Sequence, residues 1–185
     1  MISPEDQKNV DAILHFWFTE TTAKQKYAKD DVFDALIKNK FEGLYWSVMK
    51  GNTESWRETP QGRLAEVIIL DQFARNMFRG DKQSFAGDDL ALLLAREALE
   101  VGDDMKLPKN QRGFFYMPFM HSESRQVHVE ALKIFQEKGS EGGLKYEIKH
   151  KAIIDRFGRY PHRNEVMGRE STPEELAFLK EHGGF

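Results

Sequence analysis

Apolar residues recur at three- and four-residue spacing along most of the chain, and strand-like alternation is hard to find. The pattern predicts helices over residues 4–18, 30–50, 60–78, 88–102, 110–117, 122–139, 143–159 and 173–182. Ser3-Pro4, Thr59-Pro60 and Thr172-Pro173 each place a hydroxyl at an N-cap and proline at the first helical position. The hydroxyl accepts an otherwise unpaired backbone N–H, and proline has none to leave unpaired. Thr172 and Glu175 also have capping-box spacing. Asp88 and Ser122 are the expected caps of their helices, and Pro118 is expected to end the one before it. The GSEGG run from Gly139 to Gly143 reads as a flexible helix–helix joint. The fold class expected is all-α, an array of antiparallel helices.

Length and charge narrow the function classes. A chain of 185 residues is expected to form one domain, 1–185, with a sizeable core. Lys plus Arg is 27 and Asp plus Glu 30, so the net charge of −3 argues against a general nucleic-acid partner. Cysteine is absent, which excludes disulfides, thiol nucleophiles and cysteine metal sites. The N-terminal segment carries Glu5, Asp6 and Asp11, unlike a secretory signal, and no apolar run approaches the ~18 residues of a spanning helix. A cytoplasmic protein with no membrane partner is therefore expected.

Two segments resemble each other. IILDQFARNMFRG (Ile68 to Gly80) and AIIDRFGRYPHRN (Ala152 to Asn164) share Asp-x-Phe-x-Arg-x-x-x-Arg. Asp71, Arg75 and Arg79 thus match Asp155, Arg159 and Arg163, and the residues from Asp88 parallel those from Glu174. Duplication of a three-helix unit, with halves 30–102 and 122–182, would explain this; chance similarity of amphipathic helices is the other reading.

The motifs LDQFARNMFRG, FAGDDLA, PFMHSE, IIDRFGRYPHRN and GRESTPEE occur here in one order. In this the chain resembles, over nearly its whole length, the bacterial family catalogued as domain of unknown function 924. That resemblance implies a tetratricopeptide-like array of helices and no known activity. The chain departs from the family's usual pattern at Ala74, where proline is usual, and at Tyr160, where phenylalanine is frequent; neither change removes a charged group.

Candidate chemistry gathers at the motifs. At 100° per residue, Asp71, Gln72, Arg75, Asn76 and Arg79 cluster on one side of their helix, and Asp71 and Arg75 can pair at i, i+4. Arg156, Arg159, His162, Arg163 and Asn164 crowd around the helix break at Gly158 and Pro161, just after Asp155. Such cations can cap helix ends, or can hold a carboxylate or phosphate in the guanidinium fork. In PFMHSE, His121 is a candidate general base oriented by Glu123, with Gln126 one turn further on. A metal site from His121, Glu123 and His150 is conceivable, although Glu147-x-x-His150 is the sole Glu-x-x-His pair and no metal is expected. Phosphate-loop, dinucleotide and nucleophile-elbow motifs are absent, so no cofactor is expected. The aromatic clusters, such as Phe16-Trp17-Phe18, read as core or as an apolar pocket beside the arginines.

Three functions remain open on this reading. The leading one is binding of an anionic small molecule or acidic peptide in an Arg/His-lined cleft. The alternatives are an enzyme using His121 as base with arginine stabilisation, and a protein-interaction scaffold whose arginines are purely structural. The sequence leaves oligomeric state open.

Overall fold

A computed structural model describes residues 2–183. Among these residues every regular element is helical, so the protein is all-α. The chain divides into two compact units, one of residues up to 79 with 83–118, the other of residues 80–82 with 119 onward.

The first unit holds α1 (Pro4–His15), α2 (Ala23–Tyr27), α3 (Asp31–Met49), α4 (Pro60–Val67), α5 (Ala74–Met77) and α6 (Asp88–Glu100). Ser3 accepts from the Asp6 N–H at 3.0 Å and Thr59 from the Gly62 N–H at 3.0 Å, as their spacing dictates. Asp30 caps α3 through the N–H groups of Val32 and Phe33. The core is aromatic: Phe73 lies 4.8 Å from Phe41, 5.5 Å from Trp17 and 5.8 Å from Phe16, ring centre to ring centre. Those separations are the preferred edge and tilted contacts of aromatic pairs.

The expected helix over 60–78 is interrupted. Residues Ile68–Phe73 form a π-helical turn, and the Ala74 N–H reaches back five residues to the Ile69 carbonyl. The extra residue rotates the following helix, so a wheel drawn at 100° does not hold across it. All six residues of this turn are buried, Asp71 and Gln72 included. Phe16–Glu20 is a second π-helical turn, which ends the predicted first helix differently. Gly87 occupies the cap position of α6, and Asp88 is its first helical residue, where a carboxylate favours the positive helix end.

The chain continues through α7 (Lys109–His121), which runs past Pro118 instead of ending there. An interior proline removes one helical hydrogen bond at a cost of about 3 kcal/mol. Burial of Phe115, Tyr116 and Phe119 on this helix offsets that cost.

The second unit holds α8 (Arg125–Glu137), α9 (Glu141–Phe157) and α10 (Pro173–His182). Ser124, not Ser122, caps α8, because Ser122 instead accepts the Ser124 N–H at 3.2 Å. Ser140 caps α9 through the Gly143 N–H at 3.0 Å, so the helix starts earlier than expected. Two glycines of the GSEGG joint serve close packing: a Cβ on Gly139 would stand 2.7 Å from the Phe135 carbonyl oxygen, and one on Gly143 3.0 Å from the Phe135 ring. Gly158 ends α9 in the left-handed conformation, φ 71°, which glycine adopts without steric cost. The capping box of Thr172 and Glu175 forms as predicted. Ile153, Ile154 and Tyr160 form the buried centre of this unit, with Phe157 and Phe178 packed on it.

Candidate functional site

The first arginine motif is engaged within the first unit. Arg75 binds Asp88 two-pronged, Nη1 to Oδ1 at 2.9 Å and Nη2 to Oδ2 at 3.0 Å. The same Nη1 donates to the Asp71 carbonyl oxygen at 2.6 Å and lies 3.2 Å from its carboxylate, the predicted i, i+4 pair. Asp71 also accepts from Gln72 at 2.6 Å. Arg79 grips Asp34 of α3 with Nε and Nη2, and Asn76 donates to the same carboxylate at 2.7 Å. Burial alone would lower the Arg79 pKa, but its bonds to Asp34 hold it above the usual value. These contacts tie the π turn and α5 to α3 and α6.

The second motif closes on the end of α7. Three successive carbonyls there each accept from a side chain. Tyr160 donates its O–H to Met120, Arg163 donates Nη2 to His121 at 2.9 Å, and His128 Nε2 contacts Ser122 at 2.9 Å. The final carbonyls of a helix lack intrahelical partners, so this set satisfies them. Glu123 completes the clasp by accepting the Tyr160 N–H at 2.7 Å and both terminal nitrogens of Arg169, at 2.6 and 2.9 Å. Burial would raise the Glu123 pKa, but Arg169 and the Tyr160 N–H hold it below the usual carboxylate value. Glu123 thereby holds the Tyr160 loop against Arg169.

Four histidines gather about Tyr160. The ring of His150 is 5.7 Å from Tyr160 and 6.4 Å from His121; His162 is 5.4 Å and His128 6.3 Å from Tyr160. His128 and Glu147 are fully buried, with Nδ1 2.8 Å from Oε1. The Ser122 carbonyl only accepts, so His128 meets it as a donor through Nε2 and turns Nδ1 to the Glu147 carboxyl. His150 faces the Tyr146 carbonyl at 2.8 Å through Nδ1. Burial, reinforced by neighbouring His121, His128 and His162, pushes its pKa down to about 3. Among the described residues, no three His, Asp or Glu side chains converge as metal ligands.

The remaining predicted residues spread around this core. Arg159 holds Glu175 two-pronged at 2.7 and 2.9 Å, and Asn164 donates to Glu175 at 3.2 Å. Arg159, helped by the hydrogen bond at Thr172 and opposed by burial, brings the Glu175 pKa down to about 2. The first arginine of each motif thus binds an acid in the first turn of the next long helix, Asp88 or Glu175. The second arginines differ, Arg79 taking a carboxylate and Arg163 a carbonyl. Asp155 pairs with Lys151 at 2.6 Å, and Gln126 is exposed on α8.

Arg156 differs from the other motif arginines. It contacts Glu174 through the single oxygen Oε1, with Nε and Nη2 both at 2.8 Å, and the two side chains are 52% and 63% exposed. It borders a groove of about 420 Å³ lined by Lys149, Ile153, Phe157, Phe178 and His182. Lys149, Phe178 and His182 escaped the sequence reading. The signal available was two cations and a histidine among apolar residues on two helices, and only the packing of α9 on α10 makes it a groove. His128 and Glu147 escaped because no local spacing links them.

The sequence profile of a bacterial protein family of unknown function, DUF924, matches residues 13–183. The solved structure of the protein of unknown function ATU0120 from Agrobacterium tumefaciens is similar, at 34% identity and a TM-score of 0.89. That match covers 95% of this chain and 98% of the other. A comparison with curated proteins finds no match.

Proposed function

The chain belongs to the DUF924 family, and we propose that it binds a small anionic molecule with an apolar part in the groove between α9 and α10. The observation that carries this reading is Arg156. Arg75, Arg79, Arg159 and Arg169 each hold a carboxylate with two nitrogens in part-buried pairs. Arg156 holds its carboxylate through one exposed oxygen and stands over an apolar floor. Exposed pairs of this kind contribute roughly 0–1 kcal/mol, so a ligand carboxylate displaces Glu174 at little cost. The volume falls within the roughly 300–1,000 Å³ of small-molecule sites. Lys149 and His182 complete the lining of the groove.

The other arginines of both motifs keep the fold in this reading, and Arg156 is the one predicted ligand contact that lines the groove. A ligand that binds only the folded chain raises its apparent stability. A thermal-shift panel of acetate, hexanoate, phenylacetate and inorganic phosphate tests the reading. Stabilisation that grows with the apolar part of the anion and disappears in Arg156→Gln is expected. No shift from any anion sinks it.

A further inference from the structure

We infer that the groove between α9 and α10 selects a small aromatic monocarboxylate, its ring against Phe157 and Phe178 and its carboxylate on the Arg156 fork in place of Glu174. This inference rests on the groove being an anion site and adds the class of anion.

The floor is a run of π surfaces. Phe157 and Phe178 are 5.2 Å apart and inclined by 59°, and Phe178 and His182 are 4.9 Å apart and inclined by 49°. The Arg156 guanidinium lies 4.7 Å from the Phe157 ring centre and 5.9 Å from that of Phe178, and so extends the same surface. An aromatic ring gains edge or stacked contacts on such a floor beyond its burial. An aliphatic chain of equal size gains burial alone.

The charge pattern limits the ligand to one negative charge. Arg156 is the cation stacked on the aromatic floor. Lys149 is directed to the Tyr146 ring at 5.7 Å, and His182 lies 3.7 Å from Glu181. Glu174 and Glu181 would repel a second charge. Glu174 itself shows the pose, since a carboxylate oxygen already sits 2.8 Å from two nitrogens of the fork. A ligand with both oxygens available can make the two-pronged contact that Glu174 does not make, and that contact is the stronger one.

The test is amide chemical-shift mapping on the full chain, titrated with phenylacetate, cyclohexylacetate, acetate, phenylmalonate and inorganic phosphate. Phenylacetate is expected to shift amides of 149–157 and 178–183 and to bind at least about fivefold more tightly than cyclohexylacetate. Glu174→Gln, which removes the resident carboxylate, is expected to tighten phenylacetate severalfold. Arg156→Gln should weaken it at least tenfold, and Phe178→Leu should erase the preference over cyclohexylacetate while the spectrum remains that of a folded chain. Equal binding of cyclohexylacetate, tighter binding of phenylmalonate, or weaker binding to Glu174→Gln would overturn the aromatic monocarboxylate while leaving the anion groove standing. If none of the five anions moves these amides, both readings fail.

Discussion

Tyr160 donates its phenolic O–H to the backbone carbonyl of Met120, forty residues earlier in the chain. The tyrosine is 1% exposed, and the same oxygen is 3.2 Å from His128 Nε2. The bond joins the second arginine motif to the end of α7. Removing the hydroxyl leaves a buried carbonyl without that donor. Tyr160→Phe is therefore expected to lower stability by about 1–3 kcal/mol in urea unfolding. The Tyr160 position is where the family resemblance notes a frequent phenylalanine, so a change below about 0.5 kcal/mol would show that the bond contributes nothing net.

His150 makes stability depend on pH. Its folded pKa of about 3 lies below the ordinary 6.5, so between those values the unfolded chain binds the proton and the folded chain does not. Stability is then full above pH 6.5 and falls as pH drops toward 3, by up to about 1.4 kcal/mol per pH unit for one proton. Glu175, with a folded pKa of about 2, adds a loss of the same sign starting below its ordinary 4.5. The two separate in His150→Gln. That variant should flatten the profile between pH 6.5 and 4.5 and keep the loss below 4.5. An unchanged slope above pH 4.5, measured by chemical unfolding, contradicts the assignment to His150.

Two motif arginines should differ in what their removal costs. Arg75→Met removes the guanidinium 3.2 Å from the carboxylate of Asp71, which is 1% exposed, and is expected to cost on the order of 3 kcal/mol. Arg156→Met breaks an exposed pair and should cost under about 1 kcal/mol. Equilibrium unfolding of the two variants at low and moderate salt makes the comparison. Similar losses would remove the distinction on which the groove assignment depends.

Two helical glycines make a further matched pair. A Cβ on Gly43 of α3 meets nothing within 4 Å, so Gly43→Ala should stabilise by roughly 0.5–1 kcal/mol through helix propensity. A Cβ on Gly62 of α4 would lie 2.0 Å from the Trp56 carbonyl oxygen, so Gly62→Ala must shift backbone and is expected to destabilise. In thermal unfolding, a Gly62→Ala variant as stable as the parent would contradict the close approach of α4 to residue 56, and a destabilised Gly43→Ala would contradict the open space at residue 43.

The family relation and the structure agree on helices, and the details divide by range. Ser3, Thr59 and the Thr172–Glu175 box were legible because each cap acts over two or three residues. Asp71–Arg75 was legible for the same reason, one helical turn. Pro118 was misread because its local penalty is outweighed by burial that belongs to the whole core. The π turn at Ile68–Phe73 adds a residue that periodicity does not announce, so it was not legible in the sequence.

The sequence by itself determined the all-α class, the helix starts and the two arginine motifs, since periodicity and capping are properties of neighbours along the chain. Only the tertiary structure decided what those arginines do. Arg79 finds Asp34 across 45 residues and Arg169 finds Glu123 across 46, while His128 and Glu147 meet from two different helices. A guanidinium takes any carboxylate or carbonyl within reach, and reach is set by packing. The same packing left Arg156 on an exposed pair beside Phe157 and Phe178, and set Arg75, Arg79 and Arg159 in part-buried, two-pronged pairs.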